Sequence, residues 1–394
     1  MNTRFCGASV ALAFSFLFVS GCSAQKSESE TKASSEPTTA QAAPAPAANA
    51  NQSPLPGMPA VQDPNDIYAA DHAGDLSAVV KKFPARIYVP NSGSNTVDVI
   101  DPATYKIIEH FPVGKQPQHV VPSWDLKTLW VLNDLGDSVT KIDPATGKKG
   151  ETLRVRDPYN MYFTPDGKYA IVVAEQQQAL DFRDAQTMKL VDTIKVNCRG
   201  IDHMDFTADG RYLIASCEFA ATVLKVDVAE RKIVGSLSLE KGGMPQDVKT
   251  SPDGKVFYVA DMHANGIYLI EPDSFKRIGF MPTGQGTHGL YVSRDSKVLY
   301  ISNRGEGSVT VLDLATRQIK TKWQIPHGGS PDMGGVSADG KVLWLSGRYN
   351  SEVYAFDTSD GHLLARIPVG KSPHGLCVYP QPGRYSLGHT GVFR

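Results

Sequence analysis

The chain has 394 residues, with 40 Lys and Arg, 41 Asp and Glu, and a formal net charge of −1 at pH 7. Proteins that bind nucleic acid broadly show a strong basic excess, so this balance argues against a nucleic-acid surface. Val, Ile, Tyr and Thr alternate with polar residues, 35 Gly and 26 Pro interrupt them, and long helical periodicity is missing. This pattern predicts an all-β fold.

The N-terminus predicts an export signal. A positive charge precedes a short apolar run, Ala8 to Val19, which is too short to span a bilayer comfortably. Small residues then lead to Cys22, an arrangement that resembles the bacterial lipobox. The resemblance implies removal of residues 1–21, lipidation of Cys22 and attachment to a membrane, and Ser23 is typical of release to the outer membrane in diderm bacteria. Plain secretion with an incidental cysteine is the alternative.

Composition divides the rest of the chain into a tether and a folded domain. Residues 22–66 are rich in Ala, Pro, Ser, Thr, Gln and Glu and have almost no aromatic side chains, which predicts a disordered tether. The folded domain is expected at 67–394. At its start, Asp66 to Lys82 predicts either a short helix or a plug on one face. At its end, the Gly-rich tail Gln381 to Arg394 is expected to fold back over a face.

The folded part repeats one pattern of strands. An apolar run, a turn of the type Ser-Pro-Asp-Gly and two further runs recur, and the residue that opens each turn marks the period. The marker residues are Ser123, Thr164, Thr207, Ser251, Ser293, Ser337 and a degenerate Tyr379. They are 41, 43, 44, 42, 44 and 42 residues apart, which is the range of a four-stranded propeller blade. The sequence therefore predicts a seven-bladed β-propeller of antiparallel blades.

The two ends of the repeat array complete one blade. Arg86 to Gly114 has the later runs of a repeat but lacks the first, and His374 to Tyr379 is a first run with nothing after it. Pairing the C-terminal strand with the N-terminal blade removes free sheet edges and closes the ring.

Three cysteines lie in the folded part. Cys198 precedes the first run of its blade and Cys217 ends the second, so a hairpin would bring them to one rim. An exported protein favours a disulfide there, although the geometric demand of the bond is strict and leaves the pairing open. Cys377 lies within an apolar run, which favours a buried small side chain.

Candidate site residues cluster where the first strand of each blade begins. This position lines the mouth of the central channel in a propeller, and four of the 10 histidines fall there. The funnel candidates are His119, His203, His288, His374, Asp247, Asp332 and Asn160. The second runs end on the same rim, with Glu175, Glu218, Asp261, Arg304 and Arg348, and His263 lies near that set.

Imidazoles and carboxylates that converge on one axis suit copper, zinc or iron. They could equally hold a haem-like macrocycle, with an imidazole as axial ligand and Arg304 or Arg348 on its carboxylates. One feature opposes a shared site. His119 and His203 lie four residues before their markers, whereas His288 and His374 lie five residues before theirs. Because successive side chains on a strand point to opposite faces, the two pairs are expected to point in opposite directions. The alternative is that these histidines only bond channel carbonyls.

Signatures of other chemistry are weak. Gly-rich stretches follow no strand-to-helix pattern, and neither a GxSxG sequence nor a CxxC pair occurs. His203 with Asp202 or Asp205 could act as a general base, but no paired nucleophile is evident. The turn residues Asp166, Asp209, Asp253 and Asp339 are expected to be structural, bonding their own backbone.

The segments RIYVPNSGSNTVDVID, LWVLNDLGDSVTKID and LYISNRGEGSVTVLD resemble the YVTN family of bacterial β-propeller repeats. Over about 85–380 the chain is also similar in pattern to the haem-binding (cytochrome d1-like) propeller of cytochrome cd-type nitrite reductase and to lactonase-like propellers. The resemblance implies the fold but not one function. No CxxCH occurs, so the resemblance does not extend to a cytochrome c domain. No catalytic residue can be carried over from the lactonases.

Three functions remain open from the sequence. The leading one is a lipid-anchored propeller outside the cytoplasm that binds a ligand, a metal or a protein partner at its funnel. The second is an enzyme or cofactor-handling protein of the cell envelope, with a metal or haem-like cofactor on His119, His203, His288 and His374. The third is a structural envelope protein recognised through its blade edges. A monomer is expected, with the membrane and an envelope protein as partners and no nucleic acid.

Overall fold

The predicted repeats fold into seven four-stranded antiparallel sheets, which confirms the seven-bladed propeller. A computed structural model describes residues 54–389 and 392–394. The predicted signal peptide, the lipidation site at Cys22 and the first part of the tether lie outside the described residues. Where the chain is described, no helix has the length and apolar character needed to cross a membrane.

The strands follow the chain blade by blade. Blade 1 contains β1 (Arg86–Asn91), β2 (Thr96–Asp101) and β3 (Lys106–Pro112). Blade 2 contains β4 (Pro117–Pro122), β5 (Leu129–Asn133), β6 (Ser138–Ile142) and β7 (Lys149–Arg154). Blade 3 contains β8 (Asn160–Phe163), β9 (Tyr169–Ala174), β10 (Ala179–Asp184) and β11 (Leu190–Lys195). Blade 4 contains β12 (Ile201–Phe206), β13 (Tyr212–Cys217), β14 (Thr222–Asp227) and β15 (Lys232–Ser238).

The remaining blades keep the same order. Blade 5 contains β16 (Pro245–Thr250), β17 (Phe257–Asp261), β18 (Gly266–Glu271) and β19 (Lys276–Pro282). Blade 6 contains β20 (Thr287–Val292), β21 (Val298–Asn303), β22 (Ser308–Asp313) and β23 (Gln318–Gln324). Blade 7 contains β24 (Pro331–Val336), β25 (Val342–Gly347), β26 (Glu352–Asp357) and β27 (Leu363–Pro368), and β28 (Cys377–Tyr379) follows. Short 3₁₀ turns occur at Ala69–Asp71, Asp134–Gly136 and Glu218–Ala220.

The last strand closes the ring. Strand β28 pairs with β1 in antiparallel register, with Arg86 opposite Tyr379 and Tyr88 opposite Cys377. The first strand of blade 1 therefore comes from the C-terminus, as the incomplete repeats predict. The inner strands are buried and the outer strand of each blade is largely exposed, as β3 illustrates.

The repeated turns are structural, as expected from their sequence. Ser251 donates through Oγ to Asp253, 2.6 Å away, and Asp253 also accepts from the backbone N–H of Lys255. Gly254 completes the turn at a φ of +68°, which glycine adopts at little cost. These turns form one face of the ring, called here the turn face. The opposite face, where the first strands begin, is called the mouth.

Both ends of the described chain lie over the turn face. The backbone N–H of Leu55 donates to Asp209, that of Ile67 to Pro252 and that of Gly74 to Ala338. Leu55 is 6% exposed, so the described part of the predicted tether, residues 54–66, already contacts the blades. At the other end, Arg394 forms an ion pair with Asp205 at 3.1 Å.

The disulfide between Cys198 and Cys217 is present, with the two Cα atoms 5.9 Å apart. It joins the chain ahead of β12 to the end of β13, so it holds the start of the first strand of blade 4 at the mouth. Cys377 is free and buried, as its apolar surroundings predict.

Candidate functional site

Five histidines meet in the centre of the ring, and they form what is called here the imidazole cluster. Its members are His119, His203, His288, His374 and His389, each at most 2% exposed. Their ring centroids are 4.8 Å apart for His119 and His374, 4.8 Å for His203 and His389, and 6.1 Å for His288 and His374. The cluster thus includes all four histidines predicted for the funnel.

Bulges at the beginning of the first strands remove the conflict in register. In blade 4 the pairing shifts by one residue between Ile201 and Met204, a stretch that contains His203. In blade 6 it shifts between Thr287 and Leu290, a stretch that contains His288. A bulge adds one residue to one strand and re-aims the side chains beside it. Histidines that occupy different positions in the repeat can therefore point to the same axis.

The cluster contains two groups with the donors of a metal site. His119, His203 and His389 form a three-imidazole group, and His288, His374 and Asp332 form a second group. Within each group the donor atoms lie within 4.8 Å of one another. Two ligands on one tetrahedral zinc ion lie about 3.4 Å apart, because each is about 2.1 Å from the metal. The donor atoms of each group are thus near one another, although farther apart than on a bound ion.

Several ring nitrogens in the cluster have no hydrogen-bond partner. These buried atoms are Nδ1 and Nε2 of His119, Nε2 of His203 and Nδ1 of His374. The carboxylate oxygen Oδ2 of Asp332 is also buried without a hydrogen-bond partner. Buried polar atoms without partners are rare in proteins because they lose hydration without compensation. The cluster therefore differs from a set of histidines that bond channel carbonyls.

Burial keeps most of these rings neutral. It lowers the pKa of His119, His288, His374 and His389 well below the ordinary value, and nearby positive charge adds to the effect. The neutral imidazole is the form that binds metals.

His203 differs because it faces a carboxylate. Burial by itself lowers the pKa of His203, but Asp202, whose Oδ1 is 2.8 Å from Nδ1, together with Asp247 and Glu218 outweighs burial and raises it. Metal-binding histidines commonly turn their second nitrogen toward a carboxylate, which orients the ring and strengthens its donation. With Nδ1 directed at Asp202, the other nitrogen of His203 remains for a ligand.

The second group has a thioether beside it. Nδ1 of His288 lies 3.2 Å from Oδ1 of Asp332 and 3.1 Å from the sulfur of Met333. Oδ2 of Asp332 lies 3.6 Å from Nε2 of His374. Thioether sulfur favours copper, and imidazole suits copper and zinc alike.

His389 is the cluster member that the repeat does not predict. The C-terminal tail enters the channel from the turn face and pairs with blade 3, where the N–H of His389 donates to the carbonyl of Met161 at 3.0 Å. Gly388, at a φ of +92°, allows this approach: a Cβ there would lie 2.5 Å from the Met161 oxygen. The sequence contains one signal of this role, a histidine in a Gly-rich tail that has no place in a blade.

Two other predicted funnel residues hold His389 in place. The amide of Asn160 accepts from the N–H of Met161 through Oδ1 and directs Nδ2 to Nδ1 of His389, 3.0 Å away. Asp247 places Oδ1 3.7 Å from Nε2 of the same ring. Burial raises the pKa of Asp247.

The acidic residues of the rim crowd one side of the mouth. Burial, together with neighbouring carboxylates, raises the pKa of Glu175 to about 8. Burial also raises the pKa of Glu218 to about 7 and that of Asp134 to about 7, and Asp157 next to Asp134 is shifted in the same direction. Near pH 7 this side of the mouth therefore carries only part of its formal negative charge.

The other rim predictions separate into two pairs. Arg304 donates to Asp332 at 3.0 Å and lies over the ring of Tyr349, whereas Arg348 has no ion pair among the described residues. Asp261 accepts from three backbone N–H groups of its own loop and neighbours, so it supports the loop. His263 is exposed and bonds the Gly242 carbonyl, outside the imidazole cluster.

The cluster does not leave room for a macrocycle within it. His119 lies 5.3 Å from His389 and 5.5 Å from His203 between ring centroids, and His203 lies 6.2 Å from His288. Rings this close contact one another directly. A haem-like group would have to lie above them, at the mouth, near Arg304 and Arg348.

Comparisons with known proteins agree with the fold. Hydrazine synthase subunit beta of Kuenenia stuttgartiensis is 23% identical over 235 residues, which cover 51% of this chain and 54% of that protein. Dihydro-heme d1 dehydrogenase of Pseudomonas aeruginosa is 23% identical over 322 residues, 76% of this chain and 63% of that protein. This chain therefore spans less than two thirds of the length of either relative.

A solved structure, the periplasmic gluconolactonase of Pseudomonas aeruginosa, superposes with a TM-score of 0.64 at 17% identity, covering 76% of this chain and 99% of that one. At this identity the likeness is one of fold. The model of the YNCE-like beta-propeller family matches residues 59–383, which is most of the chain. The chain belongs to the YNCE-like beta-propeller family.

Proposed function

We propose that this protein is an extracytoplasmic metal-binding protein that holds transition-metal ions, copper or zinc, on the imidazole cluster of its channel. The observation that carries the proposal is the set of buried ring nitrogens without partners on His119, His203 and His374. A bound ion gives those nitrogens a partner and removes the cost of leaving them unsatisfied. The neutral state of the rings supports the same reading.

Two ions are proposed, one for each donor group. The three-imidazole group leaves a fourth position of a tetrahedral ion open, which is the pattern of zinc and copper sites that bind a further ligand. The group of His288, His374 and Asp332 is proposed to favour copper because the sulfur of Met333 lies beside it. The proposed function is therefore metal binding and does not include a defined reaction.

The location is proposed from three observations. The N-terminal sequence carries the pattern of an export signal with Cys22 as a lipid anchor. Cys198 and Cys217 form a disulfide, and such bonds persist in oxidising compartments. One structural relative is named as periplasmic. Lipid attachment through Cys22 would hold the propeller at a membrane, and an envelope protein is proposed as its partner there.

A haem-like ligand is the second candidate. It is favoured by the relative named dihydro-heme d1 dehydrogenase and by the two arginines at the mouth. The close contacts inside the cluster oppose it, because they confine such a ligand to the space above the rings.

Elemental analysis and the visible spectrum of the full chain, purified without a histidine tag, test the proposal. Copper or zinc at one to two equivalents, with no intense macrocycle absorption, is the expected result. His119→Ala should lose about one equivalent and His374→Ala the other, while the exposed His362→Ala, whose side chain is 56% exposed, should keep both. Equal metal content in all three variants, or none in the unaltered protein refilled with metal, refutes the proposal.

A further inference from the structure

Arg348 is a positive charge at the mouth for which the described part of the chain supplies no partner. It follows β25 in blade 7, the position that Arg304 occupies after β21 in blade 6. Arg304 is paired with Asp332 at 3.0 Å and lies over Tyr349. Arg348, by contrast, forms no hydrogen bond or ion pair with the described residues, and its Nη1 is buried. A guanidinium group is planar and presents a fork of donors that matches an anion with two oxygens.

The strand ahead of Arg348 ends beside the second donor group. The residue before Arg348 pairs with Pro331, which directly precedes Asp332. The guanidinium of Arg304, which pairs with Asp332, lies over the ring of Tyr349, the residue after Arg348. Because Arg348 is partly exposed at the mouth, a solute can reach it from solvent.

Tyr159 supplies a second donor at the same place. Its ring lies 5.5 Å from that of His119 and 6.2 Å from those of His203 and His374, measured between centroids. Tyr159 directly precedes β8 and Arg348 directly follows β25, so both lie at the mouth. The tyrosine and the guanidinium are therefore on the same side of the ring.

We propose that Arg348 and Tyr159 bind a small oxyanion, a carboxylate or an inorganic oxyanion, at the mouth of the channel against the metal-binding imidazoles. This inference rests on the proposed function, because the metal supplies the other contact of the anion. A bound metal ion would supply one contact of the anion, and the guanidinium and the hydroxyl would donate to another of its oxygens. The acidic residues that share the mouth, Glu175 and Glu218, do not exclude an anion, since their raised pKa values leave them partly protonated near neutral pH.

The C-terminal tail supports this assignment because it occupies the turn-face end of the channel. Ser386 is 0% exposed, Leu387 is 1% exposed and His389 is 1% exposed, and they occupy the channel on the turn-face side. The anion is therefore expected to arrive through the mouth, past Arg348. Since no described carboxylate pairs with this guanidinium, an incoming anion does not have to displace an internal partner.

Anion titrations of the copper-loaded full chain test the inference. Formate and oxalate represent carboxylates, phosphate represents inorganic oxyanions, and binding is followed by calorimetry and by the shift of the copper absorption band. Arg348→Gln should weaken binding about 10- to 100-fold, the loss expected for one charge-assisted pair. Arg348→Lys should lose less and Tyr159→Phe should lose about threefold to tenfold. Arg366→Gln, which removes a guanidinium paired with Glu352 on the outer strands, should leave binding unchanged.

The outcomes separate the two proposals. Copper bound normally, with no anion shifting the spectrum or with Arg348→Gln binding anions as tightly as the unaltered protein, overturns this inference alone. Failure to bind any metal overturns the proposed function, and anion binding to the metal-free protein that still depends on Arg348 would then retain the anion site without its metal contact. A response to oxalate and formate without phosphate assigns the site to carboxylates, and the reverse assigns it to inorganic oxyanions.

Discussion

Asn160 donates a hydrogen bond through Nδ2 to Nδ1 of His389, 3.0 Å away, although 229 residues separate them in the sequence. The bond fixes which nitrogen of His389 faces the cluster, because Oδ1 of Asn160 is already held by the N–H of Met161. Contacts of this kind orient metal-binding imidazoles, and their loss commonly weakens metal affinity about 10- to 100-fold.

Asn160→Leu should therefore weaken metal binding at the three-imidazole group by about 10- to 100-fold and leave the other group unchanged. Titration with copper or zinc, followed by calorimetry, measures the two affinities. Asn133→Ala is the control: Asn133 is equally buried in blade 2 but bonds Thr140, so its loss should lower stability without changing metal affinity. A parallel loss of affinity in both variants would indicate a general folding defect.

Gly388→Ala should displace the tail from the channel. The new Cβ would lie 2.5 Å from the Met161 oxygen, and the φ of +92° is unfavourable for alanine. The variant should lose metal from the three-imidazole group, which contains His389, and His389→Ala should have the same effect. Gly242→Ala has a comparable φ of +82° but nothing within 4 Å of the added carbon, so it should carry only the backbone cost. Hydrogen exchange at residues 385–389 would report the displacement directly, and protected tail amides in Gly388→Ala would contradict it.

The disulfide should contribute about 3 kcal/mol to the free energy of unfolding, since it closes a loop with a sequence separation of 19 residues. Denaturant unfolding of the double variant Cys198→Ser, Cys217→Ser against the unaltered protein measures this. Treatment with a thiol reductant should give the same loss. The variant Cys377→Ala retains the bond and should still lose stability on reduction. An unaltered midpoint after complete reduction would show that the disulfide does not stabilise the ring.

The pH dependence of stability should change in Glu175→Gln. The pKa of Glu175 is about 8 in the folded protein and its ordinary value is 4.5, so the folded state holds the proton that the unfolded state releases between these values. Stability from this group is present at low pH and is lost as pH rises toward 8. The glutamine variant should therefore lose less stability than the unaltered protein between pH 5 and pH 8.5.

Unfolding midpoints at a series of pH values test this prediction. The control is Glu230→Gln, because the side chain of Glu230 on blade 4 is 66% exposed. The stability of this variant should depend on pH in the same way as that of the unaltered protein. A slope in Glu175→Gln identical to that of the unaltered protein would mean that burial of this carboxyl has no effect on folding. The remaining slope in the variant is expected from Glu218 and Asp134, whose pKa values are also raised.

Much of the fold follows from spacing and turn chemistry. The Ser251 and Asp253 turn recurs because it needs only local contacts, and a strand needs only alternation, so seven similar units are evident from the chain. The same spacing locates the beginning of each first strand, and with it His119, His203, His288 and His374. Their ring-to-ring distances do not follow from the spacing, because the one-residue bulges that re-aim them are tertiary features.

The rest of the site depends on contacts between distant parts of the chain. His389 belongs to no repeat, and its place is set by the pairing of the tail with Met161 and by the Arg394 to Asp205 ion pair. The sequence does not predict that Arg348 lacks a partner either, because Arg304 occupies the equivalent position of its blade and is paired. The sequence by itself determined the number of blades, the closure of the ring and four of the five channel imidazoles, because these follow from local periodicity. Only the tertiary structure decided which imidazoles share a donor group and that the C-terminus supplies the fifth, because long-range packing and charge pairing leave no periodic trace in the sequence.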